Sequence, residues 1–164
     1  MRTLCTGFLL GVLLAIGGAD AQGQLSIGPE ISLGDDVDLG IGAVVDASLA
    51  SVHENLEAAG RFTLYFPDQG DYWELDADVR YLFPLSGENE ILPYALAGIA
   101  IGRFSWEYDG PNLELGGSDT EIGLRIGGGF KVPMERFTPF AELGLGIGDI
   151  PDFTLRTGLT FPVG

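Results

Sequence analysis

The sequence predicts an all-β fold: an eight-stranded antiparallel up-and-down transmembrane β-barrel, preceded by a cleaved signal peptide. Three observations predict it. Beyond the first 21 residues, apolar and polar side chains alternate with period two, and no segment carries a helical stripe. The polar face of the alternation mixes glycine with arginine and carboxylates, and the only lysine is Lys131. The apolar face is aliphatic in the middle of the strands and aromatic at their ends. The composition agrees: 26 glycines, 46% hydrophobic residues and a net charge of -16 in 164 residues. The apolar content excludes a disordered acidic tail. The negative charge excludes a nucleic-acid partner.

Residues 1–21 read as the signal peptide, with Arg2 in the n-region, an apolar run from Phe8 to Ile16, and Ala19-Asp20-Ala21 as the cleavage site. The run is too short to span a bilayer, which takes about 20 residues. Cys5 leaves with the signal, so residues 22–164, the barrel domain, hold no disulfide framework.

Eight strands follow, over 24–34, 38–49, 56–66, 71–83, 91–108, 119–132, 138–148 and 152–163. In the second, Leu39, Ile41, Ala43, Val45, Ala47 and Leu49 share one face. In the fourth, Trp73, Leu75, Ala77, Val79, Tyr81 and Phe83 alternate with Glu74, Asp76, Asp78, Arg80 and Leu82. The eighth sets Phe153, Leu155, Thr157, Leu159 and Phe161 against Thr154, Arg156, Gly158 and Thr160. Turn signals separate the strands, among them Gly34-Asp35-Asp36, Pro67-Asp68-Gln69-Gly70, Ser86-Gly87-Glu88-Asn89, Asp109-Gly110-Pro111-Asn112, Pro133-Met134-Glu135 and Gly148-Asp149-Ile150-Pro151. In the fifth strand the apolar phase changes from odd positions (Ile99, Ile101) to even ones (Phe104, Trp106). A bulge at Gly102 would account for that.

The polar face is expected inside. Glu30, Asp46, Glu57, Arg61, Glu74, Asp76, Asp78, Arg80, Glu121, Arg125, Glu142 and Arg156 form a candidate lumen charge network. Glycine and arginine–carboxylate sets suit a narrow interior, and an eight-stranded interior is just filled by side chains, so no open pore is expected. With the first strand running outward, Phe66, Trp73, Phe104, Trp106 and Phe153 form an outer aromatic girdle. Tyr81, Phe83, Phe130 and Phe161 form the inner one. Two girdles around an aliphatic belt are what a bilayer selects. Backbone groups in lipid must all be paired, which requires closure.

The chain resembles the small OmpA/OmpX-type eight-stranded outer-membrane barrels of Gram-negative bacteria. The resemblance rests on the signal, Pro93-Tyr94-Ala95 leading to Gly98, Gly127-Gly128-Gly129-Phe130, Pro139-Phe140-Ala141-Glu142-Leu143, and the closing Arg156-Thr157-Gly158-Leu159-Thr160-Phe161. It covers essentially all of 22–164. It implies a cell outer membrane location, outer-membrane lipid and lipopolysaccharide as surroundings, the barrel-assembly machinery as a partner, and a structural or surface-interaction role in the envelope. Such barrels usually stop at an aromatic residue, whereas Pro162, Val163 and Gly164 follow Phe161 here. The alternatives are a lateral path for small apolar molecules, a lipid-directed barrel enzyme, and a soluble periplasmic ligand-binding barrel.

Chemistry is sparsely signalled. His53 is the only histidine, with Ser51 two residues before it. A Ser/His pair suits ester hydrolysis, but the predicted inner turn is the wrong end for lipid-directed barrels of this kind. Glu74, Asp76 and Asp78 share one face, about 6.8 Å apart by strand rise. They are expected to be neutralised by Arg61 and Arg80, with Arg125 and Arg156 serving other acids. Asp35, Asp36, Asp38, Asp68, Asp71, Asp109, Glu114, Asp149 and Asp152 make the outer connections acidic without the spacing of an EF-hand. The connection 109–118 is the longest and the expected outer contact surface. Gly144, Gly146 and Gly148 lie on one face of a strand and are not a phosphate loop. No catalytic activity and no cofactor are expected.

Overall fold

In the computed structural model the described residues are 25–35, 37–68, 70–85, 91–110 and 113–163, with the backbone alone at 107–116 within them. The predicted signal segment 1–21 lies outside the described residues, as do the predicted turn residues Asp36, Gln69, Ser86 to Asn89, Pro111 and Asn112. Eight strands close into one barrel: β1 (Leu25–Gly34), β2 (Asp38–Ser48), β3 (Leu56–Tyr65), β4 (Asp71–Leu82), β5 (Leu92–Gly110), β6 (Leu113–Lys131), β7 (Thr138–Gly148) and β8 (Phe153–Val163). Each pairs antiparallel with the next, and β8 returns to β1.

Leu25 of β1 and Val163 of β8 pair at one rim, here the terminal rim. Pro162 and Val163 pair with Ser26 and Leu25, so the sheet continues past Phe161. The far rim has short turns at 66–70 and 149–152. Gly70 and Gly148, with φ of 80° and 115°, supply the left-handed conformations that glycine adopts without steric cost.

Period two sorts the side chains. Glu57, Ala59, Arg61, Thr63 and Tyr65 of β3 are buried, and Phe62 and Leu64 between them are exposed. The exposed set is almost wholly aliphatic and aromatic: Ile27, Ile31, Leu33, Leu39, Ile41, Leu124, Ile126, Leu143, Leu145, Ile147 and Leu155 circle the wall. The buried set is dominated by charge, the inverse of a soluble core.

Two expectations about β5 and β6 need correction. The expected bulge at Gly102 is absent, because the ladder runs unbroken through Glu74↔Gly102↔Glu121, Trp73↔Arg103↔Thr120 and Tyr72↔Phe104↔Asp119. Even residues of β5 therefore keep pointing inward through Phe104, and Arg103 points outward. The connection 109–118 is not a long loop either. Both strands continue in register to Gly110↔Leu113, with only residues 111 and 112 between them. β4 ends opposite Ser105 and β7 opposite Gly123, so the β5–β6 hairpin projects beyond the far rim with two free strand edges.

Candidate functional site

The lumen holds one continuous ion-pair network built from seven of the eight strands, all but β5. Arg61 of β3 reaches Asp78, Glu142 (Nη2 to Oε2, 2.5 Å) and Glu30 (Nε to Oε2, 3.3 Å). Thr63 donates to the other Glu30 oxygen at 3.0 Å. Arg80 of β4 bridges Asp46 at 2.8 Å and Glu57 at 3.1 Å through Nη1, and Glu142 at 3.2 Å through Nη2. Lys131 joins Glu57 near the terminal rim.

Arg125 of β6 and Arg156 of β8 bracket the Glu74–Asp76 pair. Arg125 holds Glu74 at 2.7 Å and Asp76 at 2.9 Å, and donates to Thr154 at 2.8 Å. Arg156 holds the same two acids at 2.7 and 2.9 Å and reaches Glu142 at 3.6 Å. Their neutralisation thus differs from the expected one. Arg61 and Arg80 serve Asp78, Asp46, Glu57 and Glu142, while Arg125 and Arg156 cross the lumen to Glu74 and Asp76. Arginines on facing walls point at one another's acids, whereas Arg80 stands beside Asp78 and Asp76 on the same strand.

Eleven of the twelve expected lumen charges are buried in this network: Glu30, Asp46, Glu57, Arg61, Glu74, Asp76, Asp78, Arg80, Arg125, Glu142 and Arg156. Glu121 lies on the same inward face of β6 but is only half-buried near the far rim, and enters no ion pair among the described residues. Sequence reasoning left Lys131 unplaced, although it shares the odd phase of Arg125.

Aromatic side chains close both ends of the lumen, and the sequence reading missed them. Near the far rim Tyr65 and Tyr72 lie with ring centroids 5.6 Å apart and cluster with Val37 and Phe104. The Tyr65 hydroxyl bonds Ser32 Oγ at 2.8 Å. Towards the terminal rim the Arg80 guanidinium lies 5.0 Å from the Tyr94 ring centre and 5.9 Å from that of Phe140. Tyr94 donates to Glu142 at 3.0 Å. Small residues opposite give these groups room: a Cβ at Gly102 would lie 2.0 Å from the Tyr72 hydroxyl, and one at Gly158 would lie 2.8 Å from the Phe140 ring. Parity would have found them, since Tyr65 shares the phase of Arg61 and Thr63, and Phe140 that of Glu142.

On the outside, Phe66, Trp73 and Phe153 lie at the far end of the wall. Phe104 does not join them, because its even phase turns it into the lumen against Tyr65 and Tyr72. Trp106 continues that inward phase above the last β4 pair, and its ring lies over Gly117 instead of on the outer face of the wall. Tyr81, Phe83, Phe130 and Phe161 are exposed near the terminal rim, Tyr81 and Phe83 with ring centroids 5.1 Å apart.

His53 sits in the terminal-rim turn between β2 and β3. Its Nδ1 accepts the Asn55 N–H at 3.2 Å, and its ring lies 5.6 Å from Tyr81. No hydrogen bond joins it to Ser51 among the described residues. No cluster of three or more metal-ligating side chains occurs among the described residues.

No protein-family model and no curated protein matches the chain. Solved structures do match. The N-terminal β-barrel domain of Pseudomonas aeruginosa OprF aligns with a TM-score of 0.67 at 20% identity, over 87% of this chain and 100% of that one. A major outer membrane protein from Thermus thermophilus aligns with a TM-score of 0.66 at 15% identity, over 85% and 99%. Ail of Yersinia pestis, in complex with the heparin analogue sucrose octasulfate, aligns with a TM-score of 0.57 at 17% identity, over 86% and 97%. The chain has the fold of the small eight-stranded outer-membrane barrels.

Proposed function

We propose that the chain is a small outer-membrane barrel with a structural or surface-interaction role in the bacterial envelope, without an open pore. The observation that carries this reading is the inversion of its two faces. A closed wall exposes an aliphatic belt with aromatics towards both rims, and hides a charge network inside. Water penalises that exposed belt, whereas a bilayer rewards it. On this reading the terminal rim faces the periplasm, the far rim faces outward, and outer-membrane lipid with lipopolysaccharide surrounds the belt. Insertion of an exported barrel of this kind passes through the barrel-assembly machinery, with residues 1–21 as the export signal.

The filled lumen supports a role without transport. Arginine–carboxylate pairs and aromatic rings occupy the section from Lys131 to Tyr72, which also argues against a path for small apolar molecules. Catalysis finds no support at His53, whose Nδ1 is engaged by the backbone of its own turn.

The outer contact surface is the projecting β5–β6 hairpin. Its free edges offer unpaired backbone groups to an incoming strand. Between Arg103 and Arg125 its sequence holds Glu107, Asp109, Glu114, Asp119 and Glu121 and no base. A sulfated ligand such as the one bound by Ail is therefore a poor match here, and a basic segment is a better one.

Membrane fractionation with unboiled and boiled gel samples tests the main reading. Outer-membrane partitioning with a heat-dependent mobility shift is expected. A soluble periplasmic product without a shift would overturn it in favour of a soluble ligand-binding barrel.

A further inference from the structure

We propose that Arg103, with Ser118 and Thr120 beside it, binds the phosphate group of an anionic lipid headgroup at the outer boundary of the membrane. The inference rests on the membrane reading above and adds a site to it. Three observations carry it.

The first is direction. The unbroken register of β5 turns Arg103 to the lipid side, opposite Trp73 on β4 and Thr120 on β6. The second is level. One step below on the same outward face lie Leu75, Ile101 and Ile122, so the wall changes there from aliphatic to Arg103 on β5 and Thr120 on β6, with Trp73 beside them on β4. Trp73 at that level is the residue type that marks a lipid–water boundary. The third is scarcity. Arg61, Arg80, Arg125, Arg156 and Lys131 are held in the lumen, and Arg136 lies in the terminal-rim turn 132–137. Among the described residues, Arg103 is the one cation on the outer face of the far-rim half of the barrel.

The local geometry suits an oxyanion. Arg103 Nη2 donates to Ser118 Oγ at 2.9 Å, which fixes the guanidinium and leaves its other N–H groups available. The Ser105, Ser118 and Thr120 hydroxyls on the same face add donors. A guanidinium matches phosphate through paired N–H bonds. Asp71, exposed on the same face and diagonal to Arg103, is the competing partner, but forms no ion pair with it.

Trp73 reports on the site. In a W106F variant it is the only indole, since the chain has two tryptophans. The full chain is inserted into phosphatidylcholine vesicles containing a small fraction of either phosphatidic acid or phosphatidylcholine with brominated acyl chains. Brominated phosphatidic acid is expected to quench Trp73 as if enriched roughly fivefold next to it. R103Q in the same background abolishes the difference, and D71N increases it. Inorganic phosphate equal to the lipid phosphate leaves the preference in place. Equal quenching by the two lipids, a preference that survives R103Q, or its loss to inorganic phosphate would each overturn the proposal. Failure of the parent chain to insert, seen as an absent heat-dependent shift, would overturn the membrane reading and the site with it.

Discussion

Arg61 and Arg80 share one oxygen: Oε2 of Glu142, on β7, lies 2.5 Å from Nη2 of the first and 3.2 Å from Nη2 of the second. The carboxylate also reaches Arg156 at 3.6 Å and accepts from Tyr94. It is the node joining the acids near the terminal rim to those near the far rim. Buried arginines left without a counter-charge are costly, whatever the net worth of the intact pairs.

Replacement of that node, E142Q, is therefore expected to lower stability by about 3–5 kcal/mol. The check is the urea midpoint for loss of the heat-modifiable band in lipid vesicles. An unchanged midpoint would mean that the network tolerates an uncompensated cation.

Two glycines separate packing from propensity. A Cβ at Gly98 would sit 2.2 Å from Asp78 Oδ1 and 2.3 Å from the Ala77 carbonyl oxygen, whereas one at Gly60 meets nothing within 4 Å. G98A is expected to cost about 1–3 kcal/mol. G60A stays within about 0.5 kcal/mol of the parent. Equal effects in the same urea assay would contradict the lumen geometry.

The polarity of the wall is tested by charge placed on it. Leu124 pairs with Ile99 and Ile147 and is exposed in the middle of the belt. L124R is expected to cost about 2–4 kcal/mol in a bilayer, and S118R near the outer boundary about 0–1 kcal/mol. Equal tolerance of the two arginines would argue that the belt does not meet hydrocarbon.

The projecting hairpin is dispensable for closure, since the last β4 pair is Asp71↔Ser105 and the last β7 pair Gly148↔Gly123. Replacing 107–116 with a short turn is expected to leave the heat-dependent shift intact. It removes capture of immobilised basic, extended peptides by cells displaying the protein. A variant that no longer folds would show that the hairpin nucleates the sheet.

Most of the fold was legible because a barrel wall keeps one rule along each strand. In β4, Glu74, Asp76, Asp78 and Arg80 all turn inward and Trp73, Val79 and Tyr81 outward, and nothing else competes for those positions. The rule became ambiguous where the wall stops. Phe104 and Trp106 resemble a phase change because aromatics at strand ends read as outward-facing residues. At the far rim the inward phase is itself aromatic, since it closes the lumen there. Gly116 and Gly117 read as loop residues, yet they pair with Glu107 and Trp106 in a ladder beyond the far rim. Which arginine meets which acid was not legible, because partners across the lumen depend on how the sheet closes and not on distance along the chain.

Five of the eight basic side chains face inward, against seven buried carboxylates. Closure of the sheet thereby withdraws most of the cations from view, and among the described residues Arg103 and Arg136 are the basic side chains left outside the lumen. The closed particle presents a more uniformly anionic surface than its opened chain, so anion-exchange retention distinguishes the two. On the proposed membrane reading, the same sorting makes neighbouring copies in a crowded lipid plane repel, so their spacing follows ionic strength.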